Sequence, residues 1–184
     1  MVNIKPPKKE ILQSGNPILR KVSSAIPAVK IKTSETKKII ALLKNAIDDQ
    51  SDAAAISAVQ IGEPIRLFII SKKVFDMDDK IAKVSKNDLI FINPKILKVS
   101  KTKQLLEEGC LSVRYVYGKV LRPEKVTVEA YDENGKKFSR GFSGLLAQIV
   151  QHENDHLNGI LFTDNAIDLQ KISKEEYDEM LKNL

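Results

Sequence analysis

His152 and His156 are the only histidines in this chain of 184 residues. They stand four positions apart in Gln151-His152-Glu153-Asn154-Asp155-His156-Leu157-Asn158-Gly159. On a helix that separation is ~400° of rotation and ~6 Å of rise, so both imidazoles leave one face toward a shared point. Glu153, one position along, can reach a water on a metal held by that pair. This is the HExxH pattern, in which two imidazoles ligate and the carboxylate serves as general base. The alternative is a chance arrangement on a solvated helix face, but the preceding turns carry Leu145, Ile149 and Val150. A catalytic metal takes a third protein ligand and keeps one position open. With no further histidine, that ligand is a carboxylate or the single cysteine, Cys110, in Glu108-Gly109-Cys110-Leu111-Ser112. A lone cysteine also reads as a small buried hydrophobe. Gly109 beside it would let the backbone come close to a metal.

The helix that carries the histidines is expected over Leu145 to Asn158, stopping at Gly159. A second helix is capped by Thr33 or Ser34 and runs to about Asp49, with Ile39, Leu42, Leu43, Ala46 and Ile47 on one stripe. β-rich runs lie at Leu67 to Ser71, Leu89 to Asn93 and Ile96 to Val99. Two more, Val126 to Tyr131 and Lys137 to Phe142, flank Asp132-Glu133-Asn134-Gly135, a hairpin turn. A last helix starts at Ser173, where Ser173 and Glu176 form a capping-box pair, and shows Tyr177, Met180, Leu181 and Leu184 on one face. That face docks on its own core or, alternatively, on a partner. Strands cluster between helices without a βαβ rhythm, which predicts an α+β class. The length fits one domain over residues 1–184, with residues 1–10 as an extended arm and 173–184 as the closing helix.

Composition narrows the function further. No apolar run approaches the roughly 18 residues of a membrane span. The first ten residues, MVNIKPPKKE, lack the apolar segment of a signal peptide. One cysteine cannot make an internal disulfide, which predicts a reducing compartment and a cytoplasmic location. The net charge of +6 comes from scattered lysines without interleaved aromatics, so DNA is not an expected partner. Attraction to a polyanion such as a ribosome surface is the alternative to a plain solvated surface.

Glu108 to Ser112 (EGCLS) and Gln151 to Gly159 (QHENDHLNG) resemble the second and third motifs of peptide deformylases. Ala53-Ala54-Ala55-Ile56-Ser57-Ala58-Val59-Gln60 resembles that family's GxGxAAxQ segment. Asn16-Pro17-Ile18-Leu19-Arg20, Ile92-Asn93-Pro94 and Arg122-Pro123 fall in the family's order, so the resemblance spans roughly Ile11 to Asp164. It implies an α+β domain with antiparallel sheets packed around the HExxH-bearing helix. It also implies hydrolysis of the formyl group from the N-terminal formyl-methionine of nascent chains. On that reading Cys110, His152 and His156 hold one divalent ion, with Fe2+ expected and Zn2+, Ni2+ or Co2+ as substitutes. The ion activates a water that attacks the formyl carbon, and Glu153 moves the proton. The Gln60 amide and the Leu111 N–H meet the oxyanion. Asp155, or carboxylates near Glu108, are expected to orient the imidazoles or pair with Arg122. Substrate is expected along Ala54, Ala55 and Ile56, with Glu108 and Gly109 also among the substrate-binding residues and Leu145 and Ile149 in the wall of the methionine pocket. The expected partners are formyl-Met nascent peptides and the ribosome surface near its exit tunnel, for a monomer.

The chain departs from the family pattern at five places. Ala53 and Ala55 replace two glycines, Ser57 replaces the first alanine, Gln148 stands where an aliphatic wall residue is expected, and Val113-Arg114 replaces a hydrophobic-Pro pair. A positive φ at either alanine would be costly and would narrow the groove. Two other readings remain at this stage: a zinc endopeptidase, which lacks its usual downstream ligand, and a non-catalytic deformylase-like protein that keeps its metal for structure or serves as a ribosome-associated binding module.

Overall fold

The computed structural model describes residues 9–76 and 79–182. In chain order the helices are α1 (Ser34–Asp48), two single turns α2 (Lys73–Asp76) and α3 (Asp79–Ala82), α4 (Gly144–Leu157) and α5 (Lys174–Lys182). The strands are β1 (Ala55–Ser57), β2 (Leu67–Ile70), β3 (Leu89–Val99), β4 (Lys103–Cys110), β5 (Val113–Pro123), β6 (Lys125–Tyr131), β7 (Lys137–Ser143) and β8 (Ile167–Lys171). They form a five-stranded sheet, β1-β2-β3-β6-β7, and a three-stranded one, β4-β5-β8. Every pairing within the two sheets is antiparallel. This is the α+β arrangement expected.

β2 is buried on both faces, and its period of two decides what lies on each. Leu67 and Ile69 join Ile56 and Ile92 beneath α1, where Ile40, Leu42, Leu43, Ala46 and Ile47 pack. Phe68 and Ile70 face the other way, with Phe91, Val128 and Phe142, onto Leu146, Ala147 and Val150 of α4. The Phe68 and Phe91 rings stack at 4.5 Å. Each fully buried aliphatic or aromatic side chain contributes about 2 kcal/mol from apolar area alone. α4 therefore lies between the sheets, against β1, β2, β6 and β7 on one side and β5 on the other. It ends where Gly159 takes φ +74°. A Cβ there would stand 2.5 Å from the Arg20 carbonyl oxygen, so no other residue fits without displacing backbone.

Several expectations change in detail. Leu89 to Asn93 and Ile96 to Val99 belong to one strand, β3, interrupted by a register shift between Ile92 and Lys95. Asn93 sits there at φ 52° and Pro94 has no N–H to give the ladder. No strand was expected over 103–123, yet β4 and β5 form the longest hairpin of the molecule, in register from Lys103↔Pro123 to Gly109↔Tyr117. Thr33 caps α1, accepting from the Thr36 N–H. Ser173 and Glu176 exchange side chain to backbone bonds at the start of α5. Leu184 and nearly all of the 1–10 arm lie outside the described residues, and no helix among those described is long and apolar enough to cross a membrane.

Candidate active site

α4 delivers His152, Glu153 and His156 to one place, and β4 delivers Cys110 at its last position, before the two-residue turn Leu111-Ser112 into β5. The ligating atoms of Cys110, His152 and His156 all lie within 4.8 Å of one another, and Cys110 Sγ is 3.2 Å from His156 Nε2. The Ser112 N–H donates to the sulfur at 3.4 Å. Burial pushes the Cys110 thiol up, but the neighbouring His156 and His152 imidazoles outweigh it and bring the thiol down to about 5. Burial likewise depresses His152, while Cys110 and Glu108 raise it, for a net shift well upward. A thiol ready to ionise and two imidazoles turned toward it are a donor set that fits one divalent transition metal.

Behind the imidazoles lies a closed polar cluster. His152 Nδ1 faces Glu108 Oε2 at 2.9 Å, and Glu108 takes both arms of Arg122, with Nε to Oε1 at 2.8 Å and a terminal nitrogen to Oε2 at 3.0 Å. The third Arg122 nitrogen donates to Asp155 Oδ2 at 2.5 Å. Although burial raises Glu108, its bonds from His152 and Arg122 hold the carboxylate down to about 2. This fixes which His152 nitrogen points forward. His156 has no such support among the described residues: its buried Nδ1 finds no partner there, and packing at 1% exposure holds the ring.

In front stand Glu153 and Gln60, both buried. Burial raises the Glu153 carboxyl, only partly offset by the His156 and His152 charges and by a hydrogen bond from Ser57. Gln60 is fixed at both ends. Its Oε1 accepts the Ser57 N–H at 2.8 Å, and its Nε2 donates to Ser112 Oγ at 3.1 Å and lies 3.7 Å from Cys110 Sγ. Leu111 is tied by its carbonyl, which accepts from Gln13 Nε2 at 3.0 Å.

These groups open onto a cavity of about 350 Å³, lined by Ala53 to Ala55, Glu108 to Leu111, Leu145, Gln148, Ile149, His152 and Glu153. Ile56 is the exception among the expected substrate residues. Its side chain is fully buried under α1 and does not line the cavity. The Ser71 N–H donates to the Ala54 carbonyl, which makes 54/71 and 56/69 the hydrogen-bonded pairs and turns the N–H and C=O of Ala55 outward along the sheet edge. Neither Ala53 nor Ala55 takes a positive φ, so the two lost glycines cost no backbone strain here. Gly109 is required for a different reason from metal approach: a Cβ on it would meet the Tyr117 ring at 2.8 Å.

Sequence reasoning passed over the far rim of the cavity. Arg114, Tyr115, Tyr177 and Met180 line it. The Tyr177 hydroxyl of α5 donates to Asp52 Oδ2 at 2.5 Å and accepts from Arg114 at 2.6 Å, and Arg114 also bonds Gln50 Oε1. The apolar stripe of α5 carried the only hint, through Tyr177 and Met180. Gln148, the polar intruder in the wall, has its amide nitrogen tied to the Glu107 carbonyl at 2.8 Å.

One helix supplies two imidazoles and a carboxylate, a second sheet supplies a thiol, and an amide donor closes the front; together they define an α+β hydrolase site of the HExxH kind. Residues 8–172 match the family model described as polypeptide deformylase. The chain is 34% identical over 168 residues to a peptide deformylase of Christiangramia forsetii, covering 88% of this chain and 83% of that one. It is 40% identical over 156 residues to one of Psychrobacter cryohalolentis, covering 84% and 77%. Among solved structures, a class I type b peptide deformylase of Acinetobacter baumannii with Met-Ala-Ser bound superposes with a TM-score of 0.77 at 29% identity, covering 87% of this chain and 99% of that one. The Synechococcus elongatus enzyme in complex with actinonin gives 0.75 at 31% identity, covering 98% and 87%. The chain belongs to the polypeptide deformylase family, metalloenzymes that hydrolyse the formyl group from N-terminal methionine.

Proposed function

We propose that this chain deformylates the formyl-methionine of nascent peptides with one divalent ion, Fe2+ in the cell, held by Cys110, His152 and His156. The observation that carries the reading is the convergence of those three donors with Glu153 and Gln60 at the inner end of one cavity. A bound divalent ion would supply Lewis acidity, lowering the pKa of water and polarising the formyl carbonyl. Glu153 takes the proton of the attacking water as its oxygen bonds to the formyl carbon. It returns that proton to the peptide nitrogen as the C–N bond breaks, so that formate and a free amine leave. Burial raises the Glu153 carboxyl above its ordinary value, the direction expected of a group that both takes and returns a proton. Gln60 Nε2, held by its two fixed bonds, and the Leu111 N–H donate to the oxygen that gains charge.

The peptide lies along β1, pairing with the outward N–H and C=O of Ala55, so Ala54 and Ile56 only frame that residue. Its methionine side chain fills the cavity against Leu145 and Ile149 while Gly109 borders the entrance. Glu108 contributes through His152 rather than by touching the side chain. The setting is the cytoplasm, and the protein is a monomer that meets its substrates at the ribosome surface near the exit tunnel, toward which a charge of +6 draws it.

The test is release of amine from formyl-Met-Ala-Ser by protein loaded anaerobically with Fe2+ or Ni2+. Wild type should turn over, and Glu153→Ala should lose roughly 10²–10⁴-fold in kcat at the same metal content. A loaded wild type with no turnover would overturn the reading.

A further inference from the structure

Ser57 lies at the end of edge strand β1, wholly buried, where the family segment carries alanine. Its two polar groups go to two different parts of the site. The backbone N–H holds Gln60 Oε1 at 2.8 Å. The hydroxyl bonds Glu153 Oε2 and lies 3.3 Å from the Glu153 carbonyl oxygen, bridging β1 to α4 across 96 residues. An alanine would keep the first bond and lose the second, so the hydroxyl is a feature of this chain separable from the rest of the machinery.

We propose that the Ser57 hydroxyl is a positioning residue for the general base. By engaging Oε2 it fixes the torsion of the Glu153 carboxylate and leaves the other oxygen to the cavity that Glu153 lines. A carboxylate with no such tether swings about its terminal torsion, which is broad for glutamate, and spends part of its time turned from the water. A base must meet the proton within hydrogen-bond reach, so lost orientation appears in kcat. The Gln60 donor stays in place through the Ser57 backbone, and the Ala55 edge is untouched, so substrate affinity does not change. The rival reading is that the hydroxyl merely satisfies itself on the Glu153 carbonyl and fills space.

This inference rests on the deformylase reading, and its test has an arm that does not need turnover. In Ser57→Ala, kcat for formyl-Met-Ala-Ser should fall about tenfold, the worth of one hydrogen bond to a charged group, with KM and bound metal per chain unchanged. Ser57→Thr, which keeps the hydroxyl, should return kcat to within about twofold of wild type. In the metal-free protein, Ser57→Ala should lower Tm by roughly 2–4 °C when Glu153 is present and by less than half of that in a Glu153→Ala background. An unchanged kcat in Ser57→Ala, a loss carried by KM or metal content, or equal Tm shifts in both backgrounds would overturn the assignment. If wild type itself failed to turn over, the deformylase reading would fall while the thermal cycle alone still decided the Ser57–Glu153 pairing.

Discussion

Two arginines on β5, Arg114 and Arg122, each gather partners from distant parts of the chain, and they do it in different surroundings. Arg122 has 8% of its side chain exposed and forks onto Glu108, which is 2% exposed, with Asp155 as a third anchor. Arg114 is 25% exposed and meets a phenol, an amide and, at 3.9 Å, the Asp52 carboxylate. The first cluster orients an imidazole of the proposed metal set, and the second closes the cavity rim. A buried fork ties charge to charge, so removing one member strands another in low dielectric. A partly solvated hub, in which a phenol and an amide stand between the cation and its more distant carboxylate, loses less when one bond goes. The molecule thus puts its costly electrostatics behind the imidazoles and its more tolerant contacts at the cavity rim.

The largest effect should come from breaking the buried side. Arg122→Met leaves Glu108 and Asp155 without their cation, and chemical denaturation should show a loss of about 3–5 kcal/mol. The same variant frees His152 to turn, so competition against a chelator should show about 10–100-fold weaker metal binding. If both stayed at wild-type values, the two hubs would be equivalent and the contrast would fail.

A smaller effect is expected at the rim. Tyr177→Phe removes bonds to Asp52 and Arg114 and should cost about 1 kcal/mol in denaturation, with kcat retained and any kinetic change confined to KM. The smallest concerns pH. Burial first, then the bond to Asp52, raises the Tyr177 phenol above its ordinary value of 10. A phenol with a raised folded-state pKa binds more protons folded than unfolded. Its stabilisation is therefore complete below pH ~10 and is lost as pH rises beyond it. Thermal melts above pH 10 should fall more steeply for wild type than for Tyr177→Phe, and parallel curves would remove Tyr177 from the account.

Much of the frame could be read from residues alone. α4 announced itself through apolar spacing and Gly159, and β6–β7 through a turn in which Asp132 Oδ1 accepts from the N–H groups of Asn134 and Lys136. β4–β5 stayed hidden because its pattern is inverted. Glu108 and Arg122 point inward while Leu105 and Leu121, cross-strand partners, are 46% and 57% exposed. Alternation rules read such a pair of strands as noise. β8, exposed at every position, has no alternation to read. Within the site, His152, Glu153 and His156 followed from spacing, and Cys110 and Gln60 needed the family resemblance. The Ser57 hydroxyl and the Arg114–Tyr177 hub depend on contacts across 96 and 63 residues, which no local pattern encodes.

The tether through Tyr177 also sets an order in time. Every donor of the metal set has been synthesised by residue 156, but the rim waits for a phenol at residue 177. A product cut short after Ile172, which keeps Leu161 and Phe162 packed beside His152, would lose that wall but none of the donors, and a fusion placed just after α5 would press on the wall rather than on the centre.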